Sequence, residues 1–138
     1  MWHPYQSVSD DPKVPIAPVL RATLINPERD NDRIYELDAF LDTGSDTTLI
    51  PLEAVSVLRL PLLKNKAPVT GIGGGVTIGF MCRARLHFGE ITIPFLKVAS
   101  CEASSIGKPG QMIIGRDILN RFCVRFDGKR GRFLFEED

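Results

Sequence analysis

The chain is poor in cysteine and has no excess charge of either sign. Its three cysteines, Cys82, Cys101 and Cys123, lie far apart in 138 residues, with no Cys-x-x-Cys pair. An odd, scattered set of thiols argues against a disulfide frame or a structural zinc site. It predicts free, mostly buried thiols in a reducing, cytoplasmic setting. Neither sign of charge dominates, because Lys+Arg and Asp+Glu both number 17. A balanced chain has no field to draw in nucleic acid or an anionic membrane, so neither is an expected partner. No apolar run approaches the roughly 20 residues that a membrane-spanning helix requires. The polar start, Met1 to Pro18, lacks the basic-then-apolar layout of a signal peptide. Histidine is almost missing. His87 alternates with Arg83 and Arg85, which predicts a solvated strand face, and His3 has no triad partner. Cys101 and Ser104-Ser105 lie in a loop without a nearby base, which excludes a nucleophilic mechanism. No His/Cys/Asp cluster has metal-ligand spacing, and no cofactor is expected.

What remains is an ordinary globule of mean hydropathy +0.00, long enough for one domain with a buried core. Prolines 4, 12, 15 and 18 forbid helix at the start, so residues 1–18 read as a flexible N-terminal arm and 19–138 as the domain. Strands are predicted over Val19–Ile25, Ile34–Leu41, Thr47–Ile50, Val76–Phe88, Ile91–Ala99 and Gln111–Ile114. A closing hairpin, Cys123–Asp127 and Arg132–Phe135, turns around Gly128-Lys129-Arg130-Gly131. Leu52–Leu58 reads as a short helix opened by Pro51, and Asp117–Phe122 as a helical turn. The fold class is therefore all-β with one or two short helices.

The chemistry begins at Ala39-Phe40-Leu41-Asp42-Thr43-Gly44-Ser45. An apolar strand delivers an acid onto a tight glycine turn, where hydroxyl and amide donors surround it. Peptide hydrolysis without a metal or covalent intermediate needs one group to take a proton from water. A second must give one to the carbonyl oxygen. Two carboxylates about 3 Å apart cannot both ionise, so they share a proton and divide these roles. Asp42 supplies one. Thr43 could bond across to a symmetric partner, Gly44 lets backbone N–H groups approach, and Ser45 could donate to the outer oxygen of Asp42.

A second segment, Gln111-Met112-Ile113-Ile114-Gly115-Arg116-Asp117, is an apolar strand stopped by glycine, with an arginine directly after. A planar guanidinium at such a corner suits a fixed carboxylate, and Asp46 is the candidate. Between the two lies Gly71-Ile72-Gly73-Gly74-Gly75. It fails the G-x-G-x-x-G pattern and carries no P-loop Lys-Ser/Thr, so it reads as a mobile hairpin tip rather than a nucleotide loop.

Phe40-Leu41-Asp42-Thr43-Gly44-Ser45-Asp46, followed about 70 residues on by Ile113-Ile114-Gly115-Arg116-Asp117, resembles the retropepsins, the retroviral-type aspartic peptidases and their cellular and bacterial relatives. The resemblance covers roughly Val19 to Phe135. It implies a retropepsin-like half-barrel with Asp42, Thr43 and Gly44 as the catalytic group. Ser45 and Asp46, with the flap residues Gly71, Ile72, Gly73 and Gly74, are the implied substrate-binding residues. Gly115 and Arg116 are implied as structural support, with an Asp46–Arg116 ion pair bracing the loop. Ser45 stands where retroviral enzymes usually carry alanine, and its hydroxyl implies an acidic optimum.

A second D-[ST]-G is missing from the chain, so the resemblance implies a homodimer that brings two Asp42 carboxylates together across a two-fold axis. Cys123–Asp127 and Arg132–Phe135 are the strands such a dimer could use. The expected function is aspartic endopeptidase cleavage of an extended peptide or protein substrate. The alternative is a non-catalytic retropepsin-like module that binds peptides or partners.

Overall fold

A computed structural model describes residues 1–29, 33–70, 76–102 and 111–136, with side chains placed outside 64–70 and 76–78. In chain order the elements are β1 (His3–Pro4), β2 (Val19–Ile25), β3 (Ile34–Leu41), β4 (Leu49–Pro51), α1 (Leu52–Leu58), β5 (Leu62–Thr70), β6 (Val76–Phe88) and β7 (Ile91–Cys101). They are followed by β8 (Gln111–Ile114), α2 (Arg116–Leu119), β9 (Cys123–Asp127) and β10 (Arg132–Glu136).

Alternation along the strands explains the layering. On β2, Leu20, Ala22 and Leu24 are buried while Arg21 is exposed. On β3, Leu37, Ala39 and Leu41 point the same way. Cys82, Ala84, Leu86 and Phe88 do so on β6, leaving Arg83 and His87 outward. These inner faces make one core with Ile50, Leu58, Val98, Met112, Ile114 and Phe133. The main sheet runs β2-β3-β8-β4-β7-β6-β5, and β2 also pairs with β6 from Ala22↔Phe88 to Ile25↔Arg85, which closes it into a barrel. β6 is long enough to serve two purposes: one end closes the barrel, and the other pairs antiparallel with β5, placing Thr70 opposite Val76. The β6–β7 turn is the two-residue Gly89-Glu90 link between the paired Phe88 and Ile91, with Gly89 at φ 55.

α1 packs Ala54 and Leu58 into the barrel. Its last carbonyls are not left bare. Arg59 turns the chain at φ 52, and the buried Asn26 donates from Nδ2 to the carbonyls of Leu58 and Arg59, each at 3.0 Å.

Residues 1–18, read from sequence as a flexible arm, make specific contacts with a second sheet of order β1-β10-β9. His3 pairs opposite Phe133, and Tyr5 donates its N–H to the Gly131 carbonyl at 2.7 Å. Gln6 and Ala17 exchange both backbone bonds, at 2.9 and 3.0 Å. The cause is aromatic: the His3 ring stacks on Phe133 at 5.3 Å and Tyr5 tilts over it at 6.2 Å. The guanidinium of Arg132 lies 4.1 Å from the Trp2 ring. The prolines do forbid helix, but they do not forbid a two-residue edge strand.

Candidate active site

The acid loop lies between β3 and β4, and β8 is inserted between those two strands. β8 runs parallel to β3, with Leu41 opposite Ile114, and antiparallel to β4, with Leu49 opposite Ile113. The loop that joins β3 to β4 must therefore cross the end of β8. There the Asp42 amide donates to the Ile114 carbonyl at 2.9 Å. Beyond this point the loop turns tightly: Ser45 N–H donates to the Asp42 carbonyl at 3.2 Å, and Gly44 N–H donates to Asp42 Oδ1 at 2.9 Å. A Cβ added at Gly44 would stand 3.1 Å from that oxygen, so a side chain there would push the carboxylate by a few tenths of an ångström. Asp42 is half-buried, whereas Thr43 and Gly44 are exposed and face outward from the monomer.

The opposite wall is Gly115 and α2. A Cβ at Gly115 would meet the Thr47 carbonyl at 2.7 Å and the Ser45 carbonyl oxygen at 2.9 Å, so the two backbones touch there. Arg116 N–H donates to the Ser45 carbonyl at 2.8 Å, and Arg116 Nη1 donates to the Thr43 carbonyl, also at 2.8 Å.

Two local expectations are corrected. Arg116 does not pair with Asp46. Its guanidinium reaches the loop carbonyl of Thr43 instead, and Asp46 accepts only a 3.4 Å bond from Thr47 Oγ1, exposed to solvent. A carbonyl left over by a tight turn is the nearer acceptor and needs the donor more. Ser45 does not donate to Asp42 either. Its hydroxyl is spent on the Thr47 carbonyl at 2.7 Å, which removes the Ser45 basis for an acidic optimum. Gly71, Ile72, Gly73 and Gly74 lie outside the described residues.

Sequence reasoning missed Thr48 and gave Asp117 no partner. Thr48 is fully buried. Its Oγ1 donates to Asp117 Oδ1 at 2.7 Å and accepts from Gly115 N–H at 3.1 Å, while its own N–H donates to Asp117 Oδ2 at 3.1 Å. The signal that could have found it was a hydroxyl residue facing inward at the head of an apolar strand. Such a side chain needs a polar partner.

Other nucleophile candidates recede. Burial pushes the Cys82 thiol up to about 12. Cys101 is also raised by burial, with the Glu102 charge adding to it. Neither supplies a thiolate near neutrality. His87 shares a 2.7 Å bond with Thr92 on the outer surface.

A closed barrel crossed by an acid loop, and stapled by a Gly-Arg-Asp corner, is the architecture of the retropepsin-like acid proteases. EIAV protease in complex with the inhibitor HBY-793 superposes with a TM-score of 0.55 at 21% identity, over 83% of this chain and 93% of that one. The retroviral protease-like domain of Ddi1 from Leishmania major gives 0.52 at 16% identity, over 91% and 92%. At these identities the likeness establishes the fold. Residues 30–118, a span holding both the acid loop and the Gly115–Asp117 corner, match the family described as aspartyl protease. The chain belongs to the aspartyl protease family.

Proposed function

We propose that the protein is an aspartic endopeptidase, active as a homodimer in which each subunit contributes one Asp42. The observation that carries this reading is the acid loop itself. One carboxylate is oriented by the Gly44 N–H, and the loop is bound to β8 and α2 from end to end. A single carboxylate can be base or acid but not both, so the second must come from a second copy. In the dimer, the ionised member of the pair takes a proton from water as the water oxygen attacks the peptide carbonyl carbon. The protonated member gives its proton to the carbonyl oxygen. Collapse of the resulting diol breaks the C–N bond, and a proton returns to the leaving nitrogen. Gly44 and Thr43 stand exposed where substrate and the partner loop would meet them.

The dimer edge is β9. Three strand edges stand open among the described residues. β1 is two residues long and ends in Pro4, and β5 follows Pro61 and contains Pro68, so both are blunted against pairing. β9 has five residues with no proline, glycine or lysine, and its Phe126 is 39% exposed. Antiparallel pairing of two β9 strands about Arg125 sets Val124 against the partner's Phe126 and covers it. Each Arg125 is already neutralised by Glu136 at 3.6 Å. β5 and β6 pair as far as Thr70 opposite Val76, and the segment that joins them, with Gly71, Ile72, Gly73 and Gly74, is assigned the role of a flap in this reading. With Ser45 and Asp46 it would hold an extended peptide substrate as an added strand.

Among the described residues no helix is long and apolar enough to cross a membrane. None of the three cysteines is in a disulfide, which suits a cytoplasmic location. Asp42→Asn is expected to lower cleavage of an unfolded protein to below about a thousandth of wild type while leaving circular dichroism and sedimentation unchanged. Equal cleavage by the variant sinks the reading. A strict monomer at every concentration in sedimentation velocity would instead favour a non-catalytic binding module.

A further inference from the structure

The carboxylate of Asp117 sits at the start of α2, yet only one of its bonds is local: Oδ1 accepts from Ile118 N–H at 3.0 Å. The other two cross 69 positions of sequence to a single residue, Thr48. Thr48 in turn accepts from Gly115 N–H, so its hydroxyl donates on one side and accepts on the other. Asp117 Oδ1 thus serves two donors and Oδ2 one, and Thr48 supplies two of those three. Removing the Thr48 hydroxyl leaves the buried Gly115 N–H without its acceptor, and removing a carboxylate oxygen of Asp117 leaves Thr48 without one of its own.

The location of this group gives it a role. The acid loop is pinned at its start by Asp42 N–H to Ile114, and in its middle by Arg116 to Thr43 and Ser45. At its far end, where the chain re-enters β4, the Ala99 N–H reaches the Thr48 carbonyl at 3.3 Å, and the Thr48–Asp117 bonds tie the same residue to α2. The Gly44 N–H that orients Asp42 Oδ1 lies between these anchors. Without the Thr48–Asp117 bonds the far end keeps its β4 pairing but loses its tie to α2, so the loop could shift against the Arg116 contacts and move Gly44 relative to the carboxylate.

We propose that Asp117, acting through Thr48, is a positioning residue for Asp42: it fixes the far end of the acid loop so that the turn presents the carboxylate in one orientation. Asparagine does not substitute for it. An amide keeps one acceptor oxygen where the carboxylate has two, so in either orientation at least one of Thr48 N–H, Thr48 Oγ1–H and Ile118 N–H loses its acceptor.

This inference rests on the proposed peptidase activity for its kinetic arm, and a second arm does not. Full-length wild type, Thr48→Val, Asp117→Asn and Thr48→Ser would be compared on a quenched-fluorescent peptide taken from a wild-type digest of an unfolded protein. Amide hydrogen exchange of the segment 42–48 would be followed in parallel by mass spectrometry. Thr48→Val and Asp117→Asn should lose about 10²-fold in kcat with KM held, because a small misplacement of a reacting group costs about that much. Both should speed exchange in 42–48 while β2 and β6 stay protected. Thr48→Ser, which keeps the hydroxyl, should restore rate and protection. Unchanged kcat and exchange in Thr48→Val and Asp117→Asn would overturn the proposal, and so would a Thr48→Ser as impaired as Thr48→Val. A wild type that cleaves no unfolded protein refutes the peptidase reading instead, and the exchange data then decide the positioning role alone.

Discussion

The acid loop and the terminal sheet are both stitched from residues distant in sequence, but by opposite means. The loop is held by directional bonds: Asp42 to Ile114, Arg116 to Thr43 and Ser45, Asp117 to Thr48. The sheet β1-β10-β9 is held by rings, with His3, Tyr5, Phe126 and Phe135 all within 6.5 Å of Phe133, centroid to centroid. Packing is indifferent to small rotations and its cost follows the volume lost. A polar network is indifferent to volume but fails when one atom is moved or deleted. On the proposed reading, the catalytic carboxylate has the second kind of support and the dimer edge has the first.

The largest test of this contrast is Phe133→Ala. Deleting the central ring should cost about 3–5 kcal/mol in denaturant unfolding, as for other buried aromatics. It should also free the N-terminal strand to limited proteolysis. An intact β1 in that variant would mean that the ladder bonds, not the rings, hold the terminal segment. Next comes Gly115→Ala, a single methyl driven against the Thr47 and Ser45 carbonyls. Overpacking of this kind costs about 1–3 kcal/mol. Because the clash falls on the polar loop, peptidase activity should fall far more than stability does. Proportionate losses would erase the distinction between the two regions.

A third test probes the barrel between them. The Cys82 thiol stands at about 12 in the fold against an ordinary 9.0, because burial disfavours the thiolate. A group raised in this way contributes its stability in full below pH 9.0 and loses it as pH climbs toward 12. Melting temperature should therefore fall across that window in the wild type and fall less in Cys82→Ala. An identical decline in both would place the alkaline weakness elsewhere. The smallest effect belongs to the surface pair Arg21–Asp38, directly opposed on β2 and β3 at 3.2 Å with both side chains well exposed. Arg21→Ala should cost less than about 1 kcal/mol, vanishing in high salt.

Period and punctuation made much of this molecule legible. β2, β3, β6 and β8 lie where alternation or apolar runs predict them, and α1 begins after Pro51 as its sequence signals. β5 escaped because Leu-Leu-Lys-Asn-Lys-Ala-Pro-Val-Thr has no clean alternation and carries a proline. β1 escaped for a related reason: four prolines in 18 residues say only what the segment cannot be. At the site, the acid loop and its Gly-Arg-Asp counterpart could be paired from sequence, but the atoms that join them could not. Sequence points Arg116 at Asp46, four residues after Asp42, whereas the fold offers it the Thr43 carbonyl. Charge can be read along a chain. An acceptor stranded by a turn becomes visible only once the turn is built.

The insertion of β8 between β3 and β4 has a consequence for the order of events in synthesis. Both flanks of the acid loop wait for a strand that leaves the ribosome some 70 residues later. Until Gln111–Ile114 arrives, β3 and β4 have no common neighbour, and Asp42 N–H has no carbonyl to meet. A contact of such long sequence separation is slow to close and is made late. On the proposed peptidase reading, the hydrolytic centre cannot assemble until Gln111–Ile114 has been made, so it cannot act on the polypeptide before then.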